Sequence, residues 1–145
     1  MDPRRSLGFL LKSVTKLYVQ RFEYRARNLG LTLPQSRALV YLDENEGISQ
    51  TQLGELIDVE PMNLVRILDR MEADGWLERR PDPADRRARR LFLKPQARAL
   101  VEQIWEVADL MRAEALAGIP PPQADLFLDL LAKIHGNFAS LAAAK

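Results

Sequence analysis

Apolar residues recur along most of this chain at spacings of three and four, the period of a helix with one buried face. In the N-terminal stretch they fall at Leu7, Leu10, Leu11, Val14, Leu17, Tyr18 and Phe22, which predicts a helix over 6–29 with Gly30 suited to its C′ position. Thr32 and Pro34 open a second helix, carrying Ala38, Leu39, Tyr41 and Leu42 to about Asn45, with Gly47 ending it. Ser49 followed by Gln52 is a capping box, and it starts a short helix with Leu53, Leu56 and Ile57 on one side. Asp58-Val59-Glu60 is a tight connection, and Pro61 fits the first position of the next helix, over 61–74 and stopped by Gly75. That helix places Leu64, Ile67, Leu68 and Met71 together and Asn63, Arg66 and Arg70 opposite.

Two short helices joined by a three-residue turn, the second with a polar and cationic outer face, form a helix-turn-helix pattern. The period then changes. Residues 76–80 and 90–93 alternate like strands, and Pro81, Asp82 and Pro83 between them are turn residues. A helix-turn-helix followed by a hairpin is a winged helix. Two long helices follow, over 95–117 and 123–144, separated by Gly118-Ile119-Pro120-Pro121-Pro122. The expected fold is mainly α with a small β-wing: one domain over 1–145, a winged helix-turn-helix over 32–94, and long flanking helices over 1–31 and 95–145. The first and last helices are apolar over a broad arc. They need a partner, either a second copy of the chain or each other in an intramolecular bundle.

Charge sharpens the picture. Between positions 79 and 94 there are seven cations (Arg79, Arg80, Arg86, Arg87, Arg89, Arg90, Lys94) and two anions (Asp82, Asp85), while the whole 145-residue chain carries only +1. A local excess of that size is a patch, and positive patches meet polyanions. Cysteine is absent, which excludes disulfides and thiol redox chemistry, and a single His135 excludes a multi-histidine metal site. His135 sits between Ile134 and Gly136 on an apolar helix and reads as a packed or interface residue. No Gly-rich phosphate loop, catalytic triad or cofactor motif occurs, and the carboxylates lie at helix salt-bridge spacings, so no enzyme and no cofactor are expected. No apolar run spans a membrane, the start Met1-Asp2-Pro3-Arg4-Arg5-Ser6 lacks a cleavage pattern, and a cytoplasmic location is expected.

Several of these residues carry a resemblance. Leu53-Gly54 through Leu93, with Asp85-x-Arg87-x-x-x-Leu91-x-Leu93 in the hairpin, resembles the MarR family of bacterial transcription regulators. Leu64-Val65-Arg66-Ile67-Leu68-Asp69 and Asp85-Arg86-Arg87-Ala88-Arg89-Arg90 are similar to the recognition helix and wing of its SlyA-type branch. Lys94 stands where the wing usually ends in Thr. Ser36 and Val40 stand where relatives carry the Trp and His of an aromatic-acid pocket. The resemblance implies a homodimer built from the first, fifth and sixth helices, reading pseudo-palindromic double-stranded DNA and modulated by a small anionic effector. An architectural or counter-silencing DNA binder without an effector is the alternative, and a winged helix used for protein contact is a third reading that the basic wing disfavours.

The chemistry of DNA assigns roles within that frame. Arg66 suits a bidentate pair with guanine, and Asn63 suits adenine or a phosphate. Pro61 and Met62 lie at the leading end of the same helix, and Gln50 and Thr51, with the free amides of theirs, are placed to hold phosphates. Arg86, Arg87, Arg89 and Arg90 lie along the backbone, and the resemblance puts Arg87 in the minor groove. Asp85 has the wrong sign for DNA and is expected to orient Arg87 or Arg89. Arg70 is either a DNA contact or a salt bridge to Asp74, and Arg79 and Arg80 are either contacts or solvated charges. For the effector, Lys16 and Arg37 are candidate cations unless they are solvated helix charges. Tyr18, Ser36, Val40 and Tyr41 are candidate walls, suiting a planar aromatic carboxylate other than a simple salicylate.

Overall fold

The computed structural model describes Asp2 and residues 4–144; Met1 and Pro3, part of the start considered above, and Lys145 lie outside the described residues. Among these it has six α-helices: α1 Leu7–Arg25, α2 Leu33–Glu44, α3 Gln50–Ile57, α4 Pro61–Ala73, α5 Ala97–Ala115 and α6 Pro121–Ala143. One antiparallel hairpin, β1 Leu77–Pro81 and β2 Arg89–Leu93, forms the wing. This is the mainly helical winged-helix fold that the periodicities predict. Two compact units are distinguished, Met1–Met111 and Arg112–Lys145.

The element ends follow local chemistry. Thr32 caps α2 with a reciprocal box to Gln35, and Ser49 caps α3 with the expected box to Gln52. Gly30, Gly47, Gly75 and Gly118 all take positive φ, each just past a helix end or in a turn. The first helix is shorter than expected: it ends at Arg25, and Arg27–Leu29 tightens into a 3-10 turn before Gly30. In α5 the first turn is lost because residues 94–98 make i→i+3 turn bonds, Ala97 N–H to Lys94 O and Arg98 N–H to Pro95 O. By contrast α6 starts earlier, at Pro121, because proline in a first turn forfeits only an amide with no helical acceptor.

The core of the first unit is built from α2, α3, α4, the wing and the first half of α5. Leu39, Leu42, Leu53, Leu64, Leu68, Met71, Leu77, Leu91 and Val101 are buried in it. Gly54 lets α3 approach α4 closely, since a Cβ there would lie 3.0 Å from Leu64 Cδ2 and 3.3 Å from the Val59 carbonyl. Arg98 of α5 holds the end of α2 through Asp43 (2.6 Å) and Glu46 (2.7 Å). A second cluster joins Phe22 and Ala26 to Val107 and Met111.

Elsewhere large apolar side chains are left in the open. On α1 these include Leu7, Phe9, Leu10, Val14 and Leu17; on α6 they include Leu126, Phe127, Leu130, Phe138 and Leu141. His135 is exposed in the chain rather than packed within it, because its helix buries only Ala124.

Candidate nucleic-acid interface

The α4 helix turns its apolar stripe inward and leaves Met62, Asn63, Val65, Arg66, Asp69 and Arg70 exposed. Pro61 sits at its first helical position, as proline's fixed φ allows. Between α3 and α4, Asp58 takes left-handed backbone (φ 54°), a conformation that short polar side chains tolerate, so the chain reverses within three residues. At the start of α3, Gln52 N–H is used by Ser49 Oγ (3.1 Å). The amides of Gln50 and Thr51, at the first two helical positions, have no acceptor inside the helix.

The basic run separates into spent and unspent charge. Arg79 is bound to Asp69 (2.6 Å) and Glu72 (3.2 Å) of α4 and is largely covered. Arg80 pairs with Glu78, and its guanidinium carbon lies over Phe92, 4.0 Å from the ring centre. Arg90 bonds the Asp82 carboxylate (3.0 Å) and donates to the Gly47 carbonyl (2.7 Å), so it ties the loop end of the wing to the turn before α3. That turn joins the sheet: Gly47 N–H donates to Leu91 O and Leu91 N–H to Ile48 O. Arg70 is paired with Asp74 at 3.2 Å, the salt-bridge alternative of the sequence reading. By contrast, the side chains of Arg66, Arg86 and Arg87 have no ion-pair or hydrogen-bond partner among the described residues. Arg89 only touches the neighbouring Ala88 carbonyl, at 3.4 Å. Asp85 does not engage a guanidinium. Its carboxylate accepts the Arg87 backbone N–H (2.9 Å) and so shapes the turn that presents Arg87.

A cavity of about 280 Å³ opens between α1, α2 and α5, lined in part by Tyr18, Phe22, Ser36, Tyr41 and Trp105. Val40 and Arg37 also line it, whereas Lys16 does not. Ser36 is buried and its hydroxyl donates to Thr32 O (3.0 Å). Arg37 donates to the Ile57 (3.2 Å) and Leu56 (3.4 Å) carbonyls, so its guanidinium caps the last turn of α3, and the residue also lines the cavity. Glu44 lines the same space.

A family model described as the MarR family matches residues 29–88, the stretch from the end of the 3-10 turn through the wing tip. A solved transcriptional regulator of the MarR family from Silicibacter pomeroyi is 30% identical, covering 90% of this chain and 88% of its own, with a TM-score of 0.76. The chain belongs to the MarR family. Members of the MarR family are transcription regulators that bind DNA, and this chain is a transcription regulator of that kind. The transcriptional repressor CouR, solved on a 23-mer DNA duplex, is 28% identical, with 89% of this chain and 92% of that one covered and a TM-score of 0.80. BpsR of Bordetella bronchiseptica, whose DNA binding is regulated by 6-hydroxynicotinic acid, is 25% identical over 90% of this chain and 98% of that one, at a TM-score of 0.80.

Within this MarR-family chain, the fold brings Asn63, Arg66 and Met62 onto one exposed surface and Arg86, Arg87 and Arg89 to the wing tip. It does not bring Lys16 to the cavity. The cavity residues beyond the sequence reading are Phe22, Leu33, Glu44, Ile104, Trp105 and Ala108. Only Trp105 carried a signal, as a large aromatic outside the apolar stripe of its helix. Among the described residues no helix is long and apolar enough to cross a membrane.

Proposed function

We propose that this chain acts as a cytoplasmic homodimer that reads pseudo-palindromic operators through residues 32–94, with 1–31 and 95–145 supplying the dimer contacts. The observation that carries the reading is the distribution of free charge. Arg66 on α4 and Arg86 and Arg87 at the wing tip stay unpaired while Arg79, Arg80 and Arg90 are neutralised by carboxylates of their own chain. Unpaired guanidiniums on a projecting helix and hairpin suit base edges and phosphates, whereas paired ones fix geometry. Arg66 with Asn63 reads bases from the major groove, Gln50 and Thr51 hold phosphates, and Arg87 enters the minor groove alongside the wing. Arg90 holds the wing in place for this. The exposed apolar faces of α1 and α6 supply the dimer, because an unpaired apolar face of that length is otherwise left in water. The α4 and wing motifs favour the SlyA-type branch.

The cavity between α1, α2 and α5 is the effector site, and an aromatic carboxylate is its ligand class. Tyr18, Tyr41 and Trp105 among its walls suit a planar ring, since aromatic pairs stack or meet edge to face. The regulation of BpsR by 6-hydroxynicotinic acid, an aromatic carboxylate, supports the choice. Arg37 gives the site a mechanical consequence. A ligand anion drawn to its guanidinium competes with the Leu56 and Ile57 carbonyls, so binding loosens the tie between α2 and the end of α3. Selection of duplexes from a random pool tests the DNA reading: recovery of one inverted repeat with half-sites about one helical turn apart supports it, and no enrichment overturns it.

A further inference from the structure

The exposed face of α4 contains two residues that polar recognition leaves unused. Met62 is 75% exposed and Val65 is 40% exposed, although Leu64, Leu68 and Met71 already satisfy the helix's need for a buried stripe. They are three residues apart, so they lie side by side on one face, and Arg66 is four residues from Met62 on the same surface. This pair differs from the apolar faces of α1 and α6. It is small, it is enclosed by Asn63, Arg66 and Asp69, and it stands at the leading end of the helix, the part of a recognition helix that meets base edges. An apolar spot of that size, beside the unpaired Arg66 guanidinium and ringed by polar side chains, does not match a protein groove. The major groove offers one apolar feature of matching size, the C5 methyl group of thymine. Methionine's three rotatable bonds let its thioether follow that methyl, and valine's branched carbon is rigid beside it.

We propose that Met62 and Val65 are specificity-determining residues that read thymine methyl groups next to the base contacted by Arg66. The inference rests on the DNA-reading function above. In this arrangement Arg66 selects by hydrogen bonding, and the Met62–Val65 pair selects by burying a methyl that cytosine and uracil lack.

The test uses a duplex that the full-length protein itself enriches from a random pool, compared with the same duplex carrying deoxyuridine at every thymine. Base pairing is unchanged and only methyl groups are removed. The wild-type protein is expected to bind the methyl-free duplex more weakly, by on the order of four-fold per contacted methyl. Met62→Ala and Val65→Ala should bind the thymine duplex more weakly and shrink the difference between the duplexes. Both positions are exposed, so the variants keep the fold, which circular dichroism checks. Arg87→Ala should lower affinity for both duplexes while keeping their ratio, which separates methyl reading from any change in the minor groove. Equal wild-type affinity for the two duplexes overturns the inference and leaves the DNA reading standing, as does a full methyl effect in both α4 variants. Failure to enrich any duplex overturns the reading and the inference together.

Discussion

Arg79 grips Glu72 twice, its backbone N–H donating to Oε2 at 2.9 Å and its guanidinium to Oε1 at 3.2 Å. One carboxylate thereby joins the first strand of the wing to the last turns of α4, and Asp69 reinforces it from one helical turn earlier. Arg79→Ala is expected to cost about 1 kcal/mol or less of stability, because the pair is partly solvated, and to weaken DNA binding by letting wing and helix drift. The slope of log affinity against log salt should stay at its wild-type value, since no phosphate contact is lost. A flattened slope would make Arg79 a phosphate ligand instead.

The same pair gives a pH dependence. The Arg79 guanidinium's hydrogen bond holds the Glu72 carboxyl below its ordinary value of 4.5, against an opposing push from burial. A carboxyl depressed in the folded state stabilises the fold above its ordinary value and loses that contribution as pH falls through its folded value. Wild-type stability should therefore drop on acidification below about pH 4.5 more than that of Glu72→Gln. Denaturant melts across that range, on both proteins in parallel, check the difference.

Arg66→Ala and Arg87→Ala should fail in different ways. The first is expected to cost on the order of 1–3 kcal/mol and to relax preference at one position of each half-site. The second should weaken binding to most sequences and flatten the salt dependence by about one phosphate equivalent per wing. Equal loss on every sequence for Arg66→Ala would reduce it to a phosphate grip.

Sedimentation at micromolar concentration should give a dimer. Because Leu7 and Leu131 are exposed on the single chain, Leu7→Glu and Leu131→Glu should yield folded monomers, each charge otherwise being buried unpaired in the interface. A monodisperse folded monomer of the unmodified protein would remove the dimer from the proposal, and palindromic reading with it.

Trp105 reports on the cavity directly. Aromatic carboxylates titrated into the protein should change its fluorescence and raise thermal stability by mass action, and the same compounds should shift DNA affinity. Lys16→Ala should respond as wild type does, since Lys16 does not line the cavity, and Arg37→Ala should respond less. An architectural DNA binder shows no ligand effect of any kind.

Gly54→Val should cost about 1–3 kcal/mol through overpacking, because the Val59 carbonyl beside it is backbone and cannot rotate away. DNA affinity should fall with it as α3 and α4 are forced apart, and calorimetry with binding on the same preparation checks both.

Most of the fold was legible because its signals are local. The Ser49–Gln52 box, the glycines after α2 and α4, Pro61 at the head of α4, and the switch from helical to strand period at Trp76 each involve residues within one or two turns of one another. The exposed cationic face of α4 follows from the same periodicity. What periodicity cannot specify is which charges are neutralised. Arg90's carbonyl partner, Gly47, is 43 residues away, and Arg79's carboxylates lie 7 and 10 residues back on another element. The sequence therefore shows a run of like cations, and only folding divides it into guanidiniums that hold the wing and guanidiniums left unpaired at its tip. The cavity is the same case. Its walls come from α1, α2 and α5, so Trp105 joins Tyr18 and Tyr41 only when helices distant in the chain pack, an outcome set by tertiary contacts rather than by any residue's neighbours in sequence.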